Sequence, residues 1–446
     1  MAASPLTDMT AAEAARRIQG GAITSEALVR ACLDVVAARE AEIGAWAHID
    51  PEYALAQARE ADAILRQGGE TGPLHGVPVG IKDIIETHDM PTENGSPVFA
   101  GRQTGRDAAA VRQLREAGAV IMGKTVTTEM AVYHPGKTRN PHRPTHTPGG
   151  SSSGSAAAVA ANMIPLSLGT QTNGSVVRPA SFCGVYGLKP THGLISRHGV
   201  LVQSPPLDTI GVFARSIEDL ALAADVLSAY DDRDAGMWRR SRASHRAVAM
   251  SEAVLPPLLG FVKTPIWEQA TAETQEAFLA LAARLGARCI PVELPLPFTD
   301  VIASHAHIML ADIARNFGPV DERHPGQLSA RLRGMIEAGR HVSAIDYNRA
   351  REQQEQLRGL LEPYFNRFDA LLTPASAGPA PEGLDATGSP VFCTTWTFLG
   401  MPAVSLPLLE SDGLPLGVQL VGARRDDARL LRTARWLVGH LSGGTA

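Results

Sequence analysis

The stretch from Pro148 to Pro190 constrains this chain more than any other. It reads P-G-G-S-S-S-G-S-A-A-A-V-A-A-N, then G-T-Q-T-N-G-S-V-V-R-P-A, then G-V-Y-G-L-K-P. Two serine clusters sit in glycine-rich turns, with an alanine-rich helical run after the first. Side chains this small permit close backbone approach, so the run belongs in a crowded interior. Upstream, G-V-P-V-G-I-K-D places Lys82 at the end of an apolar segment. Two serines and a lysine of this kind point to acyl transfer through a serine nucleophile with a lysine as base.

The rest of the chain alternates short apolar segments with amphipathic ones. Residues 10–20, 25–40, 51–67, 107–117, 151–161, 216–228, 271–285, 305–317, 344–365 and 426–441 read as helices. Residues 77–85, 119–122, 164–168, 247–250, 287–292 and 370–373 read as strands, and 169–175 as the turn that follows one of them. Such alternation predicts an α/β fold with a sheet covered by helices, in one domain over 1–446. The polar helical segment 297–365 is the candidate for a cap over a site. No internal repeat or long linker divides the chain.

Composition excludes several classes. Of 446 residues, 44% are hydrophobic and 20% charged, and the formal net charge is −5. Neither a nucleic-acid footprint nor a membrane-surface footprint is expected from that balance. Cys32, Cys183, Cys289 and Cys393 are too scattered for a C-x-x-C zinc pair or a disulfide framework. The first residues lack a basic start followed by an apolar core, and no apolar run is long enough to span a bilayer. A reducing cytoplasm is the expected compartment, with no membrane and no nucleic acid among the partners.

Three patterns suggest other chemistry and fail on context. Gly118 to Thr125 matches the phosphate-loop expression, but its variable part, A-V-I-M, is a strand in its own right. Gly150 to Gly154 fits G-x-S-x-G around Ser152, yet no strand precedes it. His134, His142 and His146 share a Pro-rich loop without a carboxylate at ligand spacing, so no metal is expected. Cys183, among small residues, reads as a packed thiol.

A serine hydroxyl needs a base beside it, and lysine serves only when neutral, which requires burial or a neighbouring cation. Val77, Val79 and Ile81 before Lys82 supply apolar surroundings. An oxyanion needs consecutive backbone N–H groups, and Thr172, Asn173, Gly174 and Ser175 form a turn that can offer them.

With these residues in place, the chain resembles the amidase signature family of Ser–cisSer–Lys hydrolases. The matching segments are G-V-P-V-G-I-K-D, G-K-T-x-x-x-E, P-G-G-S-S, G-T-x-T-x-G-S-x-x-R-P-A, C-G-V-Y-G-L-K-P-T, S-P-P-L-D-T-I-G and G-M-P-A-V-S-L-P. The resemblance implies a single large α/β domain with a central twisted mixed sheet flanked by helices, and within it Ser175 as nucleophile, Ser151 as a bridging serine after a cis peptide bond, and Lys82 as base. It implies no cofactor, and a small-molecule amide or carbamate as substrate of a monomer or homodimer. It also implies Met130, Tyr133 and Trp396 near the acyl pocket.

The sequence departs from the commonest family form, G-T-D-T-G-G-S-x-R. Gln171 replaces the acid, Asn173 replaces a glycine, and Arg178 falls three residues after Ser175 instead of two. Arg178 has two readings: a structural partner of carbonyls in the serine loops, or an anchor for a substrate carboxylate. Two functions follow from the resemblance. One is a stand-alone hydrolase of an amide, anilide or carbamate. The other is the glutaminase subunit of a tRNA-dependent amidotransferase, which the Gln171/Arg178 form fits less well. A non-catalytic binding relative is a third class, opposed by the presence of all three residues.

Overall fold

Small side chains decide how closely the central layers pack. The helix Ser153–Ala160 is buried almost throughout. A Cβ on its Gly154 would stand 2.2 Å from the Ala45 carbonyl oxygen and 2.4 Å from the Val126 nitrogen, so only glycine fits. The glycine of the G-x-S-x-G pattern is therefore a packing residue.

In this computed structural model, residues 6–443 are described. Their eleven strands are β1 (Trp46–Ile49), β2 (Pro78–Lys82), β3 (Val120–Thr125), β4 (Leu166–Gln171), β5 (Tyr186–Lys189) and β6 (Thr209–Ala214), then β7 (Leu259–Val262), β8 (Cys289–Val292), β9 (Ala370–Pro374), β10 (Ala403–Ser411) and β11 (Leu414–Val421). They form one sheet in the order β1-β3-β2-β4-β6-β5-β10-β11-β9-β7-β8. β2 pairs in parallel with β3 and β4, and β7 in parallel with β8 and β9; the other pairs are antiparallel. The result is a single large α/β domain with a mixed sheet. β2, β3 and β4 are buried along their whole length, as strands covered by helices on both faces must be.

The helices start where side-chain caps allow. Thr10, Thr24, Asp50, Ser216, Thr271, Ser329 and Ser343 each accept a backbone N–H from the first turn that follows. β10 and β11 form a hairpin whose turn residues, Asp412 and Gly413, have φ of 54° and 68°. Left-handed backbone at both positions is what a two-residue hairpin turn requires.

One expected strand is a helix. Residues 247–250 fall within the helix His245–Met250, because Ser244 accepts the Ala247 N–H and Asp225 accepts those of His245 and Arg246. Those caps satisfy the helix start and leave the strand role to β7, nine residues further on. The expected turn 169–175 also begins late, since β4 runs through Gln171. Segments 46–49, 186–189, 209–214, 259–262, 403–411 and 414–421 carry strands that the apolar pattern did not single out.

Two large apolar clusters support the sheet. One joins the N-terminal helices to the central strands. The other joins segment 297–365, through Phe298, Ile308, Phe317, Leu332 and Leu357, to Leu371, Trp396 and Val421. Segment 297–365 forms the helices Val301–Arg323, Ala330–Arg340 and Ala344–Leu361 and packs on the end of the sheet. Among the described residues no helix is long and apolar enough to cross a membrane.

Candidate active site

β2 delivers Lys82 into the interior at its last position, where the side chain is completely buried. Its Nζ stands 2.6 Å from Ser151 Oγ and 2.8 Å from Thr170 Oγ1. Burial holds the Lys82 pKa well below the ordinary lysine range, while Asp208 pulls weakly the other way. Desolvation of the ammonium thus dominates, and the neutral amine is favoured.

The Gly150–Ser151 peptide bond is cis. Arg178 holds its carbonyl: Nη2 donates to Gly150 O at 2.5 Å and to Thr387 Oγ1 at 3.1 Å, and Nη1 donates to Gly388 O at 2.9 Å. Arg178 is 1% exposed, and its three acceptors are neutral. Gly149, just before the serines, has φ of 83°, and a Cβ there would stand 2.8 Å from Pro179 Cα.

Ser175 follows β4 after a short turn. Gln171, at the end of the strand, accepts the N–H groups of Val176 (2.7 Å) and Val177 (2.9 Å) on its Oε1, and its Nε2 donates to Thr397 Oγ1 at 2.9 Å. A neutral amide thus caps the helix Val177–Cys183 and ties it to the helix Val391–Phe398. A carboxylate could accept the two N–H groups but could not donate to Thr397 while ionised. Thr397 Oγ1 in turn donates to the Asn173 carbonyl. The Asn173 side chain is also held, donating to the Tyr133 hydroxyl at 3.2 Å and accepting from Thr394 at 2.7 Å.

Among the described residues, the backbone N–H groups of Asn173, Gly174 and Ser175 donate to no protein acceptor. They are consecutive and beside the Ser175 hydroxyl. A Cβ on Gly174 would stand 2.8 Å from Pro390 Cβ, which explains the glycine. Such a row of free donors can stabilise a developing oxyanion.

Ser151 and Ser175 line one small cavity of about 10 Å³, together with Tyr133, Asn173 and Arg178. Its walls at Ala131, Thr172 and Gln203 are shared with a larger cavity of about 710 Å³. Of the expected pocket residues, Tyr133 and Arg178 are at this site. Met130 and Trp396 are completely buried in the second apolar cluster and line neither cavity.

Several site residues lay outside the sequence reading. Thr170 holds the far side of Lys82. Asp208 accepts Thr172 Oγ1 at 2.6 Å and the N–H groups of Gln203 and Ser204, and burial raises its pKa to about 6. His305, its pKa lowered to about 4 by burial, donates from Nε2 to the Thr172 carbonyl at 3.0 Å. Asp208 sits inside S-P-P-L-D-T-I-G and Thr170 inside G-T-Q-T, so both lay within matched segments. His305 had no such signal.

The discarded patterns find other uses. Lys124 is a buried residue of β3, 3.3 Å from Asp83, with a pKa lowered by burial to about 8. Ser152 Oγ donates to the Thr170 carbonyl at 3.1 Å and accepts the Thr170 N–H, which braces the lysine's partner. His142 Nε2 donates to the Cys183 carbonyl, and burial pushes the Cys183 thiol far up.

The amidase family profile matches residues 27–431. A glutamyl-tRNA(Gln) amidotransferase subunit from Chloroflexus aggregans is 34% identical, aligned over 95% of this chain and 94% of that protein. A solved chain described as part of a vestigial protein complex, bearing on the origins of an s-triazine catabolic enzyme, superposes with a TM-score of 0.90. It is 28% identical and covers 97% of this chain and 98% of its own. The peptide amidase of Stenotrophomonas maltophilia superposes with a TM-score of 0.84 at 30% identity, over 99% of this chain and 98% of its own.

Proposed function

The chain belongs to the amidase family, whose members are hydrolases of carbon–nitrogen bonds, and from that premise we propose a stand-alone amidase working through a Ser175 acyl-enzyme. The observation that carries the proposal is the 2.6 Å approach of a completely buried lysine to Ser151, with Ser175 in the same cavity. Neutral Lys82 accepts the proton of Ser151 Oγ as Ser151 Oγ accepts that of Ser175. Ser175 Oγ bonds to the carbonyl carbon, and the displaced electron pair moves onto the carbonyl oxygen, facing the free N–H groups of the turn. When the tetrahedral species collapses, the C–N bond breaks and the leaving nitrogen takes the proton back through Ser151. Water then cleaves the acyl-enzyme through the same relay.

The cavity of about 710 Å³ suits a small-molecule substrate. Arg106, Arg197 and Arg233 on its walls are each paired with an acid. Arg351, also on the wall, forms no ion pair among the described residues; its guanidinium donates to the Gln354 side chain, and the buried carboxylate of Asp312 feels its charge. A substrate carrying a carboxylate, such as the half-amide of a dicarboxylic acid, would find its counter-charge there. Arg178, committed to three neutral acceptors around the bridging serine, suits the structural reading better than the anchor reading.

The identity to amidotransferase subunits supports a second reading, a glutaminase that works only within an assembly. Assaying the isolated chain on acidic amides, neutral amides, anilides, carbamates and glutamine, with gel filtration of the active species, separates the two. Hydrolysis by the chain alone supports the amidase. Activity on glutamine only when partner proteins are added would replace it.

A further inference from the structure

The free donors beside Ser175 belong to three successive peptide units, 172–173, 173–174 and 174–175, and the carbonyl of each unit is taken. His305 Nε2 donates to the Thr172 carbonyl at 3.0 Å, the Thr397 hydroxyl donates to the Asn173 carbonyl, and the Arg178 backbone N–H donates to the Gly174 carbonyl at 3.0 Å. In a planar trans unit the carbonyl and the N–H that follows it point opposite ways. A donor fixed on one side therefore aims the N–H on the other. It also polarises the unit, which makes that N–H a stronger donor.

The first two of these donors come from distant elements. His305 lies on the helix Val301–Arg323, 133 residues from Thr172, and is buried. One turn further along that helix, Met309 lines the small cavity that holds Ser151 and Ser175. Burial lowers the His305 pKa to about 4, so the ring at neutral pH carries one proton, and contact with a carbonyl places that proton on Nε2. The Thr397 proton is equally determined. The N–H groups of Val176 and Val177 can only donate, so Gln171 turns Oε1 toward them and Nε2 toward Thr397. The Thr397 hydroxyl, accepting from Gln171, has its proton left for the Asn173 carbonyl. An ionised carboxylate at position 171 would compete for that proton.

We propose that His305 and Thr397 are positioning residues for the oxyanion: they aim and strengthen the N–H groups of Asn173 and Gly174 without touching the substrate. The inference rests on the reading of Ser175 as the acylated residue. It makes segment 297–365, through His305, a working part of the site and not only a cover. It also gives Gln171 a second task, since its amide sets the direction of the Thr397 hydroxyl.

The test reads phosphonylation of Ser175 in the full chain by an alkyl fluorophosphonate, which requires no knowledge of the natural substrate. Ser175 Oγ bonds to phosphorus, fluoride leaves, the proton passes through Ser151 to Lys82, and negative charge grows on the phosphoryl oxygen. His305→Leu and Thr397→Val should each lower the maximal labelling rate about tenfold or more, short of the roughly 10²–10³-fold lost when an oxyanion donor itself is removed. The half-saturating concentration should stay within about threefold, because the braced donors act on the transition state and not on ground-state binding. Trifluoroacetophenone, which Ser175 converts to a hemiketal oxyanion, should protect less well from labelling by a similar factor. His305→Gln and Thr397→Ser keep a donor at similar reach and should recover most of each loss. Thr397→Val, close to threonine in shape, carries the test if the melting temperature shows that His305→Leu does not fold. A wild type that takes no adduct on Ser175 would remove the acyl-enzyme reading, and this inference with it. Labelling of the wild type together with unchanged maximal rates in the folded variants overturns this inference alone. So does a loss that glutamine and serine fail to restore, or one confined to the half-saturating concentration.

Discussion

Lys82 Nζ and Ser151 Oγ meet at 2.6 Å in a space with no solvent exposure on the lysine. The pair couples the protonation of the lysine to whether Ser151 can give up its proton. Burial lowers the lysine's folded pKa, so the active, neutral form increases as pH rises through that value. The logarithm of kcat/KM should therefore rise with pH and level off while solvent-exposed lysines are still charged. Lys82→Ala should lower kcat/KM by roughly 10²–10⁴-fold, the usual contribution of a positioned base. A flat profile, or a variant close to wild type in alkali, would remove the relay.

Ser175→Ala should abolish turnover and leave the melting temperature nearly unchanged. Mass spectrometry after treatment with a fluorophosphonate should place one adduct on the peptide carrying Ser175. An adduct at Ser152 would contradict the present assignment, because the Ser152 hydroxyl is committed to Thr170.

Arg178→Ala should depress acidic and neutral amides alike and lower stability, since it strips the Gly150 and Gly388 carbonyls and Thr387 of their donor. Each hydrogen bond from a charged donor contributes about 1.5–3 kcal/mol. Arg351→Gln should instead raise KM for acidic amides and spare neutral ones. Parallel kinetics on a half-amide and its neutral analogue decide both; selective loss in Arg178→Ala would exchange the two roles.

Gln171→Leu should destabilise the protein, because the buried N–H groups of Val176 and Val177 lose their acceptor, at about 1–3 kcal/mol for each donor left unpaired. Gln171→Asp keeps both acceptors but loses the donation to Thr397, so it should fall between Leu and wild type in chemical denaturation. If Leu matched wild type, the cap would not matter.

Lys189 is completely buried on β5, with the Pro190 carbonyl as its hydrogen-bond partner, and burial lowers its pKa to about 7. Its unfolded value is about 10.4. Between those two values the unfolded chain binds more protons, so this residue makes stability rise with pH from about 7 to about 10. Lys189→Met should flatten that part of the melting-temperature profile; an unchanged slope would assign it to other groups.

Much of the chemistry was legible in sequence because it is local. A buried serine turn needs glycines at fixed offsets, a base needs apolar neighbours along its own strand, and each signal lies within a few residues. That is why Lys82 as a base and the turn Thr172–Ser175 as a donor nest could be proposed from their own surroundings, whereas the separate roles of Ser151 and Ser175 came from the family resemblance. Amphipathic helices and fully apolar strands were legible for the same reason. Residues 247–250 were misread because their helix depends on Asp225, twenty residues before His245, and no local pattern records that cap. The convergence of Lys82 with Thr170, of Gln171 with Thr397, and of His305 with Thr172 joins positions 88, 226 and 133 residues apart. The two roles open to Arg178 differ only in what lies within hydrogen-bond reach of its guanidinium. Short-range backbone and packing requirements are written in the local sequence, but which distant groups share a dry space follows from how the sheet and its helices close over one another.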